Sequence, residues 1–213
     1  MTFKTSLAKK KARTINKLPA KDDSLKSFGL SDSRLQCAFI GRITQIKRPD
    51  RFLDVVSEVK KRGIDLDFFM AGDGDLLEGC RKRISEQDLP VTVLGWQSDI
   101  EKVLSAADIV VLTSDNEGTP LSLIQAGMAG LPVVTTNVGS VPEVVLDSVT
   151  GIITDLDVQE IANALEKLAT DTALRERLGL AAQEFTLSHF GVQRLIHDHE
   201  ELYKKLLASR AKS

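Results

Sequence analysis

The sequence predicts an α/β chain built on a doubly wound, Rossmann-like parallel sheet of six strands and closed by C-terminal helices. Three observations predict it. Short apolar runs of strand length alternate with amphipathic segments of helix length. Runs such as Cys37-Ala38-Phe39-Ile40 and Ile109-Val110-Val111-Leu112 are apolar throughout, which suits parallel strands covered on both faces. Finally, 213 residues at 42% hydrophobic and 27% charged are enough to bury one substantial core.

In order, the strands are expected at Leu35 to Ile40, Leu66 to Ala71, Val91 to Leu94, Ile109 to Leu112, Pro132 to Thr135 and Ile152 to Thr154. Helices fall between them at Pro49 to Arg62, Leu76 to Gln87, Ile100 to Ala107 and Leu121 to Ala129, with a helical turn near Val141 to Leu146. Pro49 suits a first helical turn, and Gly63 suits a helix end. After the last strand the pattern is helical over Asp157 to Ala169, Asp171 to Phe185 and Val192 to Ala208. Residues 1 to about 30 read as a basic linker or tail, and residues 31 to 213 as the domain. Right-handed crossovers place any ligand at the carboxyl ends of the strands.

A formal charge of −2 argues against broad nucleic-acid binding. The tail is locally basic through Lys4, Lys9, Lys10, Lys11, Arg13, Lys17, Lys21 and Lys26, so it is either a solvated linker or a contact for an anionic membrane or a partner. No apolar run approaches the ~18 residues that span a bilayer, and no apolar signal core follows the first lysines; a cytoplasmic chain, peripheral to the inner face of the membrane at most, is expected. Cys37 and Cys80 lack partners at metal-ligand spacing and read as reduced and structural. His197 and His199, two apart on a helix, diverge by about 200° around its axis, and His189 precedes Gly191 in an expected turn, so the histidines suggest no site.

The chemistry gathers at two loops. Arg42 follows the first strand, beside Gly41, and Lys47 stands just before the helix at Pro49. Arg offers a fixed fork and Lys a point charge, a pairing suited to a diphosphate; alone, such a pair more often reads as solvated surface charge. The second loop, Thr113-Ser114-Asp115-Asn116-Glu117-Gly118-Thr119-Pro120, brings free backbone N–H groups and a helix start to the same edge. Gly118 permits close approach of a ligand, and Pro120 suits a first helical turn. The competing reading is a capping turn with incidental Gly and Pro.

These residues, with Lys47-Arg48-Pro49, Ala71-Gly72-Asp73-Gly74, Leu94-Gly95-Trp96, Ala107-Asp108-Ile109, Gly130-Leu131-Pro132 and Gly139-Ser140-Val141-Pro142-Glu143, resemble the nucleotide-sugar domain of the group 1 (family 4) glycosyltransferases, in the same order over residues 35 to 205. The resemblance implies a retaining enzyme of GT-B architecture, of which this chain matches the C-terminal, donor-binding half. It implies catalytic roles for Arg42 and Lys47 on the donor diphosphate and for Glu117 on sugar hydroxyls. Donor contacts would come from Gly41, Gly118, Thr119, Pro120, Leu121, Ser122 and Gln125. Trp96 either walls the base or is a packing aromatic.

The expected ligand is a nucleotide sugar, with UDP favoured and GDP or ADP possible, and no cofactor or metal is expected; Asp65-Leu66-Asp67 reads as capping or surface charge. The expected partner is an N-terminal acceptor domain or a second chain carrying it. Asp108 reads as structural, and Glu143 could approach the donor. One position departs from the family, which usually carries a second glutamate where Gln125 stands. An amide offers one acceptor oxygen where a carboxylate offers two, so nucleotide binding is expected to weaken by about 1–2 kcal/mol. A non-catalytic nucleotide-sugar module is the alternative reading. A dinucleotide-binding dehydrogenase domain is disfavoured, because no Gly-X-Gly-X-X-Gly follows the first strand.

Overall fold

A computed structural model describes residues 18–210, with side chains to residue 207. Six strands form one parallel sheet in the order β3-β2-β1-β4-β5-β6: β1 Leu35–Ile40, β2 Leu66–Ala71, β3 Val91–Gly95, β4 Ile109–Leu112, β5 Val133–Thr136 and β6 Gly151–Thr154. The helices are α1 Lys21–Phe28, α2 Pro49–Lys61, α3 Leu77–Glu86, α4 Ile100–Ala106, α5 Leu121–Met128, α6 Val141–Val144, α7 Val158–Thr170, α8 Thr172–Phe190 and α9 Val192–Arg210.

The pleat divides the apolar strand residues between two cores. Cys37, Phe39, Phe68, Met70 and Val111 face α2, α3 and α7, whereas Ala38, Ile40, Phe69, Val110 and Leu112 face α1, α4 and α5. On the first face Phe52 of α2 packs its ring 5.2 Å from Phe39 and 5.9 Å from Phe68. Cys37 and Cys80 are buried free thiols, and burial pushes both thiol pKa values up. The strand order reverses between β1 and β4, opening a crevice at their carboxyl ends.

The segment from residue 18 to 30 departs from expectation. Residues 1–17 lie outside the described part, but Lys21–Phe28, read as linker, is a helix packed on α4. Asp22 and Asp23 favour its N-terminus, and Gly29, at φ 65°, closes it while Leu30 N–H donates to Leu25 O at 2.9 Å. Leu25 is 2% exposed, and Lys21 pairs with Asp108. Six polar residues among eight hide the periodicity of so short a helix. The other departure is α8, which continues past Phe185 to Phe190. No breaker precedes Gly191, and His189 stacks on Phe185 in the last turn of the helix rather than in a loop.

If α1 belongs to the domain, Leu25→Ala should cost about 2–3 kcal/mol in denaturant unfolding, as a buried leucine does. A loss below about 0.5 kcal/mol, typical of surface sites, would mean that the segment is detached.

Candidate functional site

The crevice is floored by loops that only glycine lets approach. A Cβ on Gly72 would lie 1.8 Å from Gly41 O, and one on Gly74 would lie 2.3 Å from Ile43 O. With those side chains absent, Ile43 N–H donates to Asp73 O at 2.9 Å, Leu76 N–H to Ile43 O at 3.1 Å and Gly72 N–H to Gly95 O at 2.8 Å. The loops after β1, β2 and β3 thus form one shelf.

Lys47 ends a short 3₁₀ turn, Gln45–Lys47, and its side chain runs back over the first loop: a Cβ on Gly41 would sit 3.8 Å from Lys47 Cε. Its ammonium donates to Glu117 Oε1 at 2.5 Å, joining residues on opposite sides of the crevice. Both side chains are largely buried, at 16% and 7% exposed. The same Glu117 oxygen accepts from Ser114 Oγ at 2.6 Å, and Thr136 Oγ1 donates to Ser114 O at 2.7 Å. Behind Glu117, Ser140 N–H donates to Glu117 O at 3.0 Å, an approach that requires Gly139, since a Cβ there would lie 1.9 Å from that oxygen.

Helix α5 starts directly beyond. Its N-cap, Pro120, has no side-chain cap, and the N–H groups of Leu123 and Ile124 already donate to Pro120 O. Among the described residues the amides of Leu121 and Ser122 find no acceptor, so the positive end of α5 is open next to Glu117. Gly118 and Thr119 are exposed in the same loop, and Gln125 is half-buried one turn into the helix. The capping-turn reading of this loop therefore does not describe it.

Arg42 is exposed and pairs with no acid among the described residues. It lines a cavity of about 270 Å³ with Gly41, Gly72, Asp73 and Trp96. Trp96 is 71% exposed, so it packs no core and walls this cavity instead. Another cavity, about 300 Å³, lies among β6, α7 and α8, but it contains none of these groups. The switch point, with its cations and open amides, is the better site on chemistry.

The acids read as structural, Asp108, Asp65 and Asp67, pair within the protein. Asp108 is structural, accepting from Gln36 N at 2.8 Å. Asp65 and Asp67 both pair with Arg34 at the start of β2, on the opposite edge of the sheet. Glu143 is exposed in the first turn of α6. Among the described residues no group of three or more His, Cys, Asp or Glu could hold a metal ion, and no helix is long and apolar enough to cross a membrane. The sequence reading missed Ser114 and Gly139, which fix Glu117. It also missed Arg51, whose charge beside Phe52 on the apolar side of α2 was the available signal.

A parallel α/β domain with cations and a bare helix start at its switch point has the chemistry that suits a phosphate-bearing ligand. The family model described as glycosyl transferases group 1 matches residues 20–185, and the chain belongs to that family. It is 31% identical over 176 residues to alpha-D-kanosaminyltransferase of Streptomyces kanamyceticus, covering 78% of this chain and 45% of that one. It is 26% identical over 188 residues to N-acetyl-alpha-D-glucosaminyl L-malate synthase of Bacillus anthracis, covering 85% and 48%.

Among solved structures, Anabaena HepE in complex with UDP and glucose superposes with a TM-score of 0.81 at 21% identity, covering 91% of this chain and 55% of that one. The C-terminal domain of a group 1 glycosyl transferase from Francisella tularensis gives 0.74 at 19% identity, covering 84% and 97%. The fold is thus that of the C-terminal domain of GT-B glycosyltransferases, and the chain spans about half the length of the curated relatives it matches.

Burial pushes the pKa of Asp115 up, but hydrogen bonds from Arg48 and Arg51 and their charges outweigh it and hold the carboxyl below its ordinary value. A folded-state pKa below the unfolded value of about 3.9 contributes stability that is complete above about pH 4 and is lost as the pH falls through the folded value. Asp115→Asn should therefore be less stable than the parent in urea at pH 7. The gap should close as the pH falls from about 4 toward 2; a gap unchanged over that range contradicts the assignment.

Proposed function

We propose that this chain is the donor-binding half of a retaining glycosyltransferase that takes a nucleoside-diphosphate sugar, UDP-linked by preference, and transfers the sugar to an acceptor hydroxyl. GDP or ADP sugars are the other candidates. The acceptor pocket comes from an N-terminal domain or a partner chain, since the relatives named for sugar transfer are about twice as long as the matched region. The observation that carries the reading is the meeting of Lys47, which runs over Gly41, with Glu117, just ahead of the open start of α5.

The diphosphate lies over Gly41, between the Lys47 ammonium, the Arg42 guanidinium and the amides of Leu121 and Ser122. As the bond from the anomeric carbon to the phosphate oxygen breaks, negative charge grows on the leaving nucleotide, and these preorganised donors stabilise it without a metal ion. Glu117, already oriented by Ser114, accepts from a sugar hydroxyl. Trp96 walls the base, and Gln125 serves the ribose. Crystallised neighbours of this fold that hold UDP or UDP-glucose support the choice of nucleotide. The chain acts at the cytoplasmic side of the membrane, with the basic segment Lys4 to Lys17 available for contact with anionic lipid. Gln125 favours a second reading, a nucleotide-sugar module that no longer catalyses; sugar transfer on adding an acceptor domain separates the two.

Calorimetric titration with UDP tests the site. Arg42→Ala and Lys47→Ala should each weaken binding by about 1.5–3 kcal/mol, the range for charge-assisted hydrogen bonds, and parental affinity in both would remove the assignment. Glu117→Gln, which frees Lys47 from its internal anion, should bind UDP at least as tightly as the parent while losing most of the preference for UDP-glucose over UDP. Retention of that preference would place the sugar elsewhere. Gln125→Glu should tighten UDP by about 1–2 kcal/mol, and no gain would mean that the ribose lies away from α5.

A further inference from the structure

The sheet does not hold the two halves of this site together. Pairing of β1 with β4 stops at Phe39 and Val111, whereas β1 stays paired with β2 to Ile40 and β4 with β5 to Leu112. Beyond that point the strands part, yet Lys47 and Glu117 meet at 2.5 Å.

What bridges the gap is a cluster one layer below them. Arg51, 7% exposed in the first turns of α2, donates through Nη1 to Thr113 O at 2.7 Å and through Nη2 to Asp115 Oδ1 at 2.8 Å. Asp115 also accepts from Arg48 Nη1, at 3.0 Å to Oδ2, and its own N–H donates to Ile46 O at 2.9 Å. Thr113, fully buried, donates to the carbonyls of Lys47 and Arg48 at 3.2 and 3.1 Å. Arg48, directly after Lys47, is held at φ 50°, a left-handed conformation that is unfavourable for a non-glycine residue and persists only where its surroundings impose it.

We propose that Arg51 is a positioning residue for the donor site. Through Thr113 O and Asp115 it locks the loop bearing Glu117 onto the loop bearing Lys47, so that the phosphate and sugar contacts stand at a fixed separation before any ligand arrives. The proposal rests on the donor-site reading above. It assigns Arg51 no contact with ligand: the fork is spent on the protein. Lysine would keep the charge but, with a single ammonium on a flexible stem, cannot reproduce two bonds diverging from one plane.

The test uses the full chain, UDP titration and amide hydrogen exchange, on Arg51→Lys and Asp115→Asn beside a control, Ile161→Val, in the distant α7 core. In both clamp variants UDP affinity should fall about tenfold, as for loss of a charge-assisted bond. In the ligand-free Arg51→Lys variant the amide of Asp115, which donates to Ile46 O in the parent, should exchange faster while those of α7 do not. Ile161→Val should bind like the parent whatever its loss in melting temperature. Parental UDP affinity in the clamp variants overturns the proposal, and so does weaker binding without faster exchange at Asp115. If the parent itself binds no UDP, the donor-site reading fails, and the exchange arm, which needs no ligand, decides the clamp alone.

Discussion

A buried ion pair across a split in the sheet, Lys47 with Glu117, is the interaction around which this molecule is organised. Two charges taken out of water are stable only where geometry and extra hydrogen bonds repay their lost solvation, and removing one partner of such a pair costs about 3–5 kcal/mol. Here the repayment comes from Ser114, from Thr136 behind it, and from the packing of Gly41 and Gly139 against the two residues. The pair is also an internal stand-in. In the proposed function an incoming phosphate takes the place that Glu117 holds beside the ammonium, and a sugar hydroxyl takes the place of the ammonium beside Glu117. A ligand offering both groups at once exchanges one satisfied arrangement for another, whereas a bare phosphate leaves a buried carboxylate to be satisfied.

The fold supplies this arrangement from ordinary parts. Reversal of strand order sends α2 and α5 to opposite faces, so the loops that precede them face each other across the crevice. Glycines at 72 and 74 let the loops stack with backbone in contact, a density that no side chain would allow. Arg48, Arg51 and Asp115 then tie the β1 side to the β4 side where strand pairing has ended.

Most of the framework was legible in the sequence because buried parallel strands are continuous apolar runs. β1, β2 and β4 begin and end as read, and neighbouring element ends differ by a residue or two at hydrogen-bond boundaries that composition does not encode. Lys21–Phe28 was not legible: its helix depends on burying Leu25 against α4, a tertiary event, while its own eight residues are mostly polar and follow a lysine-rich stretch. Arg42 and Lys47 stood out by type and spacing and Glu117 by the family resemblance, and the structure pairs Lys47 with Glu117 across the crevice. Gly139, Arg51 and Asp115 escaped because each acts through a partner far off in the chain, as Arg51 does on Thr113 and Asp115, more than sixty residues away, and Ser114 because its bond to Glu117 depends on how their loop folds.

A crystal structure of the chain with UDP tests the central claim most directly, by where the diphosphate lies. The account predicts a phosphate oxygen within about 3 Å of Lys47 Nζ, the reach of a charge-assisted hydrogen bond, with another accepting from the amide of Leu121 or Ser122. A nucleotide bound in the cavity among β6, α7 and α8, with Lys47 still paired to Glu117, would contradict it.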